Sequence, residues 1–115
     1  MAVKILEDGD RNVVAHFNAA GTLNIATLAK RSSDGASPVT LDIIELWYDV
    51  GAVADASVTF DATTDDLAWL LTSNQHMCFE DFAGLKNPKS AGWNGSIIVT
   101  GTGAFTVVLK CRKSY

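Results

Sequence analysis

Along much of the chain, apolar residues alternate with polar ones, which is typical of β-strands with one buried face. The clearest alternation lies near the end of the chain, at Phe105, Val107, Leu109 and Cys111. A second apolar run covers residues 96–100, and the link between the two runs reads GTG. Because glycine adopts positive φ easily at a tight turn, we predict a β-hairpin over residues 96–112.

Further short runs upstream also predict strands. Residues 12–18 place Val13, Ala15 and Phe17 on one face. The long run 39–50 changes phase at Ile43–Ile44, which predicts a bulge, or a bend where the strand passes between sheets.

The runs 56–61 and 66–72 are separated by the turn-like segment ATTDD and predict a second hairpin, with Leu67, Trp69 and Leu71 buried. Residues 76–82 predict one more short strand.

Residues 22–30 fit either a strand or a helical turn, and we interpret them as a strand. Residues 31–38, with an Asp-Gly turn signal and a Pro, predict an exposed loop, and residues 84–95, which end in Asn94-Gly95, predict a second long loop. About eight short strands with no long helix between them predict an all-β fold, either a sandwich, a jelly roll or a small barrel, and of these we expect an antiparallel, jelly-roll-like β-sandwich. We find no repeat or linker and expect one domain over residues 1–115.

Composition agrees with a globular domain, since 48% of the 115 residues are hydrophobic and 19% are charged. The net charge of -4 argues against nucleic acid as a partner, because such binding needs a basic face. No apolar stretch has the length of a membrane span or of a signal-peptide core. We therefore expect a soluble protein made in a cytoplasm, without a membrane partner.

The candidate chemistry is sparse. His16 and His76 belong to no spaced Cys/His cluster of the kind that zinc requires. Asp8, Asp10 and Asn12 match the first positions of a calcium loop, but Val13 and Ala19 stand where the required Gly and Glu should be. Phosphate-binding and nucleophile-elbow motifs are also missing from the sequence. We expect no catalytic residues, no metal and no cofactor.

Two cysteines, Cys78 and Cys111, are too few for a disulfide scaffold. Cys111 lies on the apolar parity of its strand, so we interpret it as a buried free thiol. It could pair with Cys78 only if their two strands are neighbours.

The tryptophans suggest binding surfaces. Trp69 alternates with leucines and is interpreted as core, whereas Trp47 lies on the same parity as Glu45 and Asp49. Trp93, in the loop 84–95, either folds back over the domain or reaches a partner. The candidate partner-interface residues are Trp47, Trp93, Asn94, Lys86 and Lys89.

Taken in order, five segments resemble a family of small structural proteins from tailed bacteriophages. They are ILEDGDRNVV, WYDV, FDATTDDLAWLL, FEDFAGLKN and FTVVLKCRK. The loop 84–95 departs from the family pattern at Pro88 and Trp93, in a stretch usually richer in Asn and Ala. The resemblance implies a virion protein assembled in the bacterial host cytoplasm, with head decoration or cement as its natural role.

On that basis we expect a non-enzymatic decoration protein that binds the major capsid protein and other copies of itself, with a trimer as one arrangement. The alternative is a carbohydrate- or receptor-binding module at a tail or fibre, which would use the exposed tryptophans and nearby carboxylates.

Overall fold

The computed structural model describes residues 3–115, which form two antiparallel β-sheets. The five-stranded sheet has the order β1-β2-β9-β4-β7, and the four-stranded sheet has the order β3-β8-β5-β6. The strands are β1 Val3–Asp8, β2 Asn12–Phe17, β3 Gly21–Leu23, β4 Thr40–Gly51, β5 Ser57–Phe60, β6 Asp66–Leu70, β7 Ser73–Cys78, β8 Ile97–Thr100 and β9 Thr106–Ser114. The predicted β-sandwich is confirmed, with nine strands in the described range where we expected about eight.

The core lies between the two sheets and follows the predicted parity. In β2, Val13, Ala15 and Phe17 are fully buried, as predicted. In β9, Val107, Leu109 and Cys111 face the same core, and Val58 and Val99 are among the side chains that meet them from the other sheet. Burial of each large apolar side chain contributes roughly 1.5–3 kcal/mol, so the alternating strands supply most of the driving force for folding.

Strand β4 contains the predicted bulge. Its register against β9 shifts between Ile43 and Glu45, so Ile44 is the extra residue. Ile44 is nevertheless buried, because the segment after β7 covers it: a Cβ at Gly84 would lie 2.8 Å from the Ile44 side chain. The strand stays within the five-stranded sheet, so the alternative of a bend between sheets was wrong.

The predicted hairpin over residues 96–112 is wrong. Strand β8 pairs with β3 and β5, whereas β9 pairs with β2 and β4 in the other sheet. The GTG link is therefore a crossover between sheets. Gly101 has φ +152°, and a Cβ there would lie 2.7 Å from the ring of Phe105, which is buried as the chain enters the second sheet. The second predicted hairpin is confirmed, since β5 and β6 pair antiparallel.

Other boundaries differ from the predictions. The predicted strand over 22–30 ends at Leu23, and a 3-10 turn, Ile25–Thr27, follows; the Asn24 side chain caps this turn by accepting from the Ala26 N–H. The predicted strand over 76–82 begins earlier, at Ser73, and gives way to a second 3-10 turn, Glu80–Phe82. The segments 31–38 and 84–95 contain no helix or strand, as predicted for loops.

The two ends of the described chain meet at a polar cluster, which we call the terminal latch (Asp8, Asp10, Ser32, Lys113 and Tyr115). The Lys113 side chain is fully buried and donates to Asp8 Oδ1 and to the carbonyl oxygens of Gly9 and Ala29. Ser32 donates to Asp10 from its backbone and from its hydroxyl, and the Tyr115 hydroxyl donates to the Asp10 carbonyl.

Candidate interaction surfaces

Three large apolar side chains are exposed along one side of the sandwich. Strands β6 and β7 are edge strands of the two sheets and follow each other in sequence, so both edges meet at this side. Leu67, Leu70 and Phe82 are 57%, 62% and 61% exposed. We call these three residues the edge patch. Exposed apolar groups that cluster on a soluble domain commonly mark a binding surface.

A bulge accounts for Leu67, whose predicted burial was wrong. Across β5 and β6, Val58 pairs with Trp69 and Thr59 with Leu67, so Ala68 is an extra residue. The extra residue reverses the parity of the strand and turns Leu67 outward. The buried state of Leu71 is confirmed.

Trp69 forms the support behind the edge patch and is half-buried. Its Nε1 donates to the Tyr48 hydroxyl at 3.3 Å, and its ring meets Phe79 edge-to-face with centroids 5.0 Å apart. Phe79 in turn contacts Phe82, with ring centroids 6.0 Å apart, and its N–H donates to the Ile44 carbonyl. Phe82 is therefore held outward on a fixed aromatic base.

The edge patch has an acidic border. Asp65, Glu80 and Asp81 are exposed and lie within two residues of Leu67 or Phe82, whereas Asp66 pairs with the buried Phe60 and its Oδ2 is buried. The sequence has no Lys or Arg at all from residue 32 to residue 85. A partner that complements this surface should therefore carry apolar groups together with positive charge.

Trp47 occupies a different surface, the outer face of the five-stranded sheet. It is 37% exposed, and the register places it between His76 of β7 and Val108 of β9. The indole stacks on the imidazole of His76 at 4.8 Å with the planes 4° apart. His76 Nε2 lies 2.8 Å from Glu45 Oε2, which fixes the imidazole beside the indole.

The other four predicted interface residues, Lys86, Lys89, Trp93 and Asn94, lie together on the loop 84–95. Lys86 pairs with Asp42 at 2.7 Å, and the Lys89 ammonium lies 5.4 Å from the centre of the Trp93 ring. Trp93 is half-buried, a state between the two predicted alternatives.

Asn94 holds this loop in place. Its Nδ2 donates to Asp61 at 2.8 Å, and its Oδ1 accepts from the Ser96 N–H. The structure thus leaves Asn94 with a role in loop conformation, and it separates Trp47 from the other four residues.

The acidic residues of the calcium-loop pattern are occupied by protein donors. Asp8 Oδ2 accepts from the Ala29 N–H at 2.8 Å, and both oxygens of Asp10 accept from Ser32. The two hydrogen bonds from Ser32 lower the pKa of Asp10. Within residues 3–115, no group of three or more His, Cys, Asp or Glu side chains is arranged to hold a metal ion.

Both cysteines are free thiols. Cys78 is exposed on β7 and Cys111 is buried on β9, and β4 lies between these two strands. The condition for a disulfide, neighbouring strands, is therefore not met. Burial raises the pKa of the Cys111 thiol far above its ordinary value.

The edge patch escaped the prediction, although one signal in the sequence points to it. Leu70 and Leu71 are adjacent, and adjacent residues of a strand face opposite sides. One of the two therefore had to be exposed if the strand continued, and Leu70 is the one that faces outward. Phe82 offered no comparable signal, because its exposure depends on the 3-10 turn.

Comparisons of the chain with protein-family models, with curated proteins and with solved structures found no match. Among residues 3–115, no helix combines the length and the apolar character needed to cross a membrane.

Proposed function

We propose that this chain is a non-enzymatic structural protein of a tailed-phage virion, a head decoration or cement protein that binds the major capsid protein. The single observation that carries the proposal is the edge patch, where Leu67, Leu70 and Phe82 are exposed over a rigid aromatic base. The resemblance of the five sequence segments to small phage virion proteins supplies the partner. A cement protein works by covering surface, so it needs an apolar contact area and a rigid fold.

The charge of the edge patch specifies the kind of surface that it would cover. Three exposed carboxylates, those of Asp65, Glu80 and Asp81, lie within two residues of the patch in sequence, and no basic residue occurs from position 32 to position 85. The matching capsid surface would be apolar with lysines or arginines at its rim, where opposite charge speeds association and fixes orientation. Each bound copy would add little stability to the shell, and many copies on a symmetric shell would together reinforce it.

A sedimentation assay tests this proposal. Heads of the phage that encodes the chain are assembled without it, mixed with the purified chain and pelleted. We expect saturable co-sedimentation of the wild-type chain. Leu70→Asp should weaken binding by roughly 30-fold or more, because it places a charge at the centre of a desolvated contact. Its unfolding free energy should stay within about 0.5 kcal/mol of wild type, since Leu70 is a surface residue.

The matched control is Leu6→Asp. Leu6 is 54% exposed, close to the 62% of Leu70, and it lies on β1 at the far edge of the five-stranded sheet. At concentrations where the chain is monomeric, Leu6→Asp should bind heads as strongly as the wild-type chain. The proposal fails if the wild-type chain stays in the supernatant, or if Leu70→Asp binds undiminished.

A second candidate function, glycan binding at a tail or fibre, rests on Trp47. A shallow groove beside the indole is lined by Asp49, Asn74 and Gln75, whose polar groups could bind sugar hydroxyls. It ranks second because His76 already covers one face of the indole. A glycan array, with and without calcium, separates the two functions. Binding that Trp47→Ala abolishes would favour the second, and a flat array would remove it.

A further inference from the structure

Strand β1 is an edge strand with an unusual distribution of exposed residues. It pairs with β2 on one side, and no strand of the described chain adjoins its other side. Ile5 is 38% exposed and Leu6 is 54% exposed, in the middle of the strand. An edge with free backbone groups and bare apolar side chains can template pairing with another strand, and soluble proteins usually avoid it.

A bulge in β1 brings the two charged residues of the strand to the same face. Lys4 pairs with His16 and Ile5 pairs with Ala15, whereas Glu7 pairs with Val14, so Leu6 is the extra residue. His16 and Val14 lie on the outer face of the sheet, since the residues between and around them are buried in the core. Lys4 and Glu7 therefore both lie in outer-face positions.

The order of residues in β1 is self-complementary. The strand reads VKILED, and its charges are placed symmetrically about the Ile5–Leu6 bond. If a second copy of β1 runs antiparallel beside the first, with the two-fold axis at that bond, Lys4 of each copy faces Glu7 of the other. The same register places Ile5 of each copy beside Leu6 of the other.

We propose that β1 is a self-association edge, through which two copies of this chain join their five-stranded sheets into one continuous sheet. The contact would bring together four exposed apolar side chains and form two Lys4–Glu7 ion pairs, and it would satisfy the free backbone groups of both edges. An unrelated partner would have no reason to match this symmetric pattern, which is why the second copy is the occupant. A two-fold contact closes at two copies, so it predicts a dimer and not the trimer expected from the resemblance to phage proteins.

Sedimentation equilibrium of the full chain tests the proposal. A contact of one strand pair is small, so we expect a weak dimer with a dissociation constant on the order of 10–100 µM. Lys4→Glu and Glu7→Lys, each alone, turn both ion pairs into like-charge pairs and should weaken the dimer by about tenfold or more. The double variant Lys4→Glu/Glu7→Lys restores opposite charges and should return dimerisation to within about threefold of wild type.

Two controls show that each variant is folded and that β1, not the edge patch, forms the dimer. Circular dichroism and thermal melting must show that each variant is folded, which is expected because both residues are exposed. Leu6→Asp should abolish the dimer, whereas Leu70→Asp should leave it unchanged, the reverse of their effects on head binding. The proposal does not depend on the capsid role, and the two can fail independently.

Three results would overturn it. The first is a chain that remains monomeric at about 0.5 mM, a concentration above the expected range for such a contact. The second is a double variant that dimerises no better than either single variant, and the third is a mass that saturates at three copies.

Discussion

The terminal latch and the edge patch differ in how far their side chains are already bonded within the chain. In the latch, the buried Lys113 ammonium has three acceptors, and both oxygens of Asp10 are hydrogen-bonded. In the edge patch, Leu67, Leu70 and Phe82 are more than half exposed, and nothing in residues 3–115 covers them. The polar groups of the latch are therefore bonded within the chain, whereas the apolar side chains of the edge patch remain exposed to a partner.

The difference separates stability from binding. A buried charge must be paired and hydrogen-bonded, or it costs several kcal/mol, so the fold depends on the contacts that the buried Lys113 ammonium makes within the latch. An exposed leucine contributes little to folding, so the edge patch can change without unfolding the chain. Substitutions in the latch should therefore affect unfolding, and substitutions in the edge patch should affect association.

The largest effect on stability is expected for Lys113→Met. Methionine keeps the apolar stem but removes the donor, which leaves the Gly9 and Ala29 carbonyls without a partner and Asp8 without its counter-charge. We expect the free energy of unfolding, measured by urea titration, to fall by about 3 kcal/mol.

Lys110→Met is the matched control for that substitution. Lys110 lies on the same strand, is partly exposed, and its ammonium is 3.9 Å from Glu45. Its removal should change stability by less than about 0.5 kcal/mol. Equal losses in the two variants would contradict the distinction between the latch and an ordinary surface charge.

The parts of the fold that the sequence predicted are those in which period-two alternation is unbroken. Strand β2 is the simplest case, since Val13, Ala15 and Phe17 are all buried as expected. The phase change at Ile43–Ile44 likewise predicted the bulge in β4, because an inserted residue shifts the alternation of apolar positions, and this shift can be seen in the sequence.

The predictions failed where pairing depends on contacts distant in sequence. Two glycines between β8 and β9 fit a tight turn, but they also fit a close crossover, and only the packing of Gly101 against Ala56 and Phe105 decides between these. Strand β1 was not predicted at all, because its bulge at Leu6 breaks the alternation.

The candidate site was predicted only in part. Trp47 and four residues of the loop 84–95 were singled out together as one candidate interface, but the structure places them on separate surfaces. Leu67 was assigned to the core because alternation with Trp69 was assumed to continue, and the extra residue Ala68 breaks it. Leu67 is turned outward by a local bulge and Phe82 by a 3-10 turn, and neither of these irregularities is visible in the sequence pattern.

A smaller loss of stability is expected at acid pH, and it should arise from Asp34 in the loop beside the latch. The Arg31 guanidinium, which binds both oxygens of Asp34, lowers the pKa of Asp34 to about 2. An unfolded Asp has a pKa near 3.9, so this carboxylate stabilises the fold above about pH 4. That stability is lost as the pH falls through the folded pKa, between about pH 4 and pH 2.

Urea titrations across that pH range measure the effect. Asp34→Asn should show a shallower fall in stability than wild type, because its side chain does not titrate. Ser32→Ala removes the hydroxyl that is the first cause of the lowered pKa of Asp10, and it should also flatten the fall. An unchanged pH slope in both variants would show that neither carboxylate contributes to acid sensitivity.

The last prediction uses the two natural thiols as reporters of local opening. Cys78 is exposed and should react with a thiol reagent at once, whereas Cys111 is fully buried between β2 and β4 and should react only when β9 opens.

Lys113 lies two residues beyond Cys111 on the same strand. If opening of β9 requires the latch to break, Lys113→Met should accelerate labelling of Cys111 by roughly 100-fold, in proportion to its loss of stability. Leu70→Asp should leave the rate unchanged. Similar rates for Cys111 in wild type and Lys113→Met would mean that β9 opens without the latch, and the latch would then have no role in closing the sandwich.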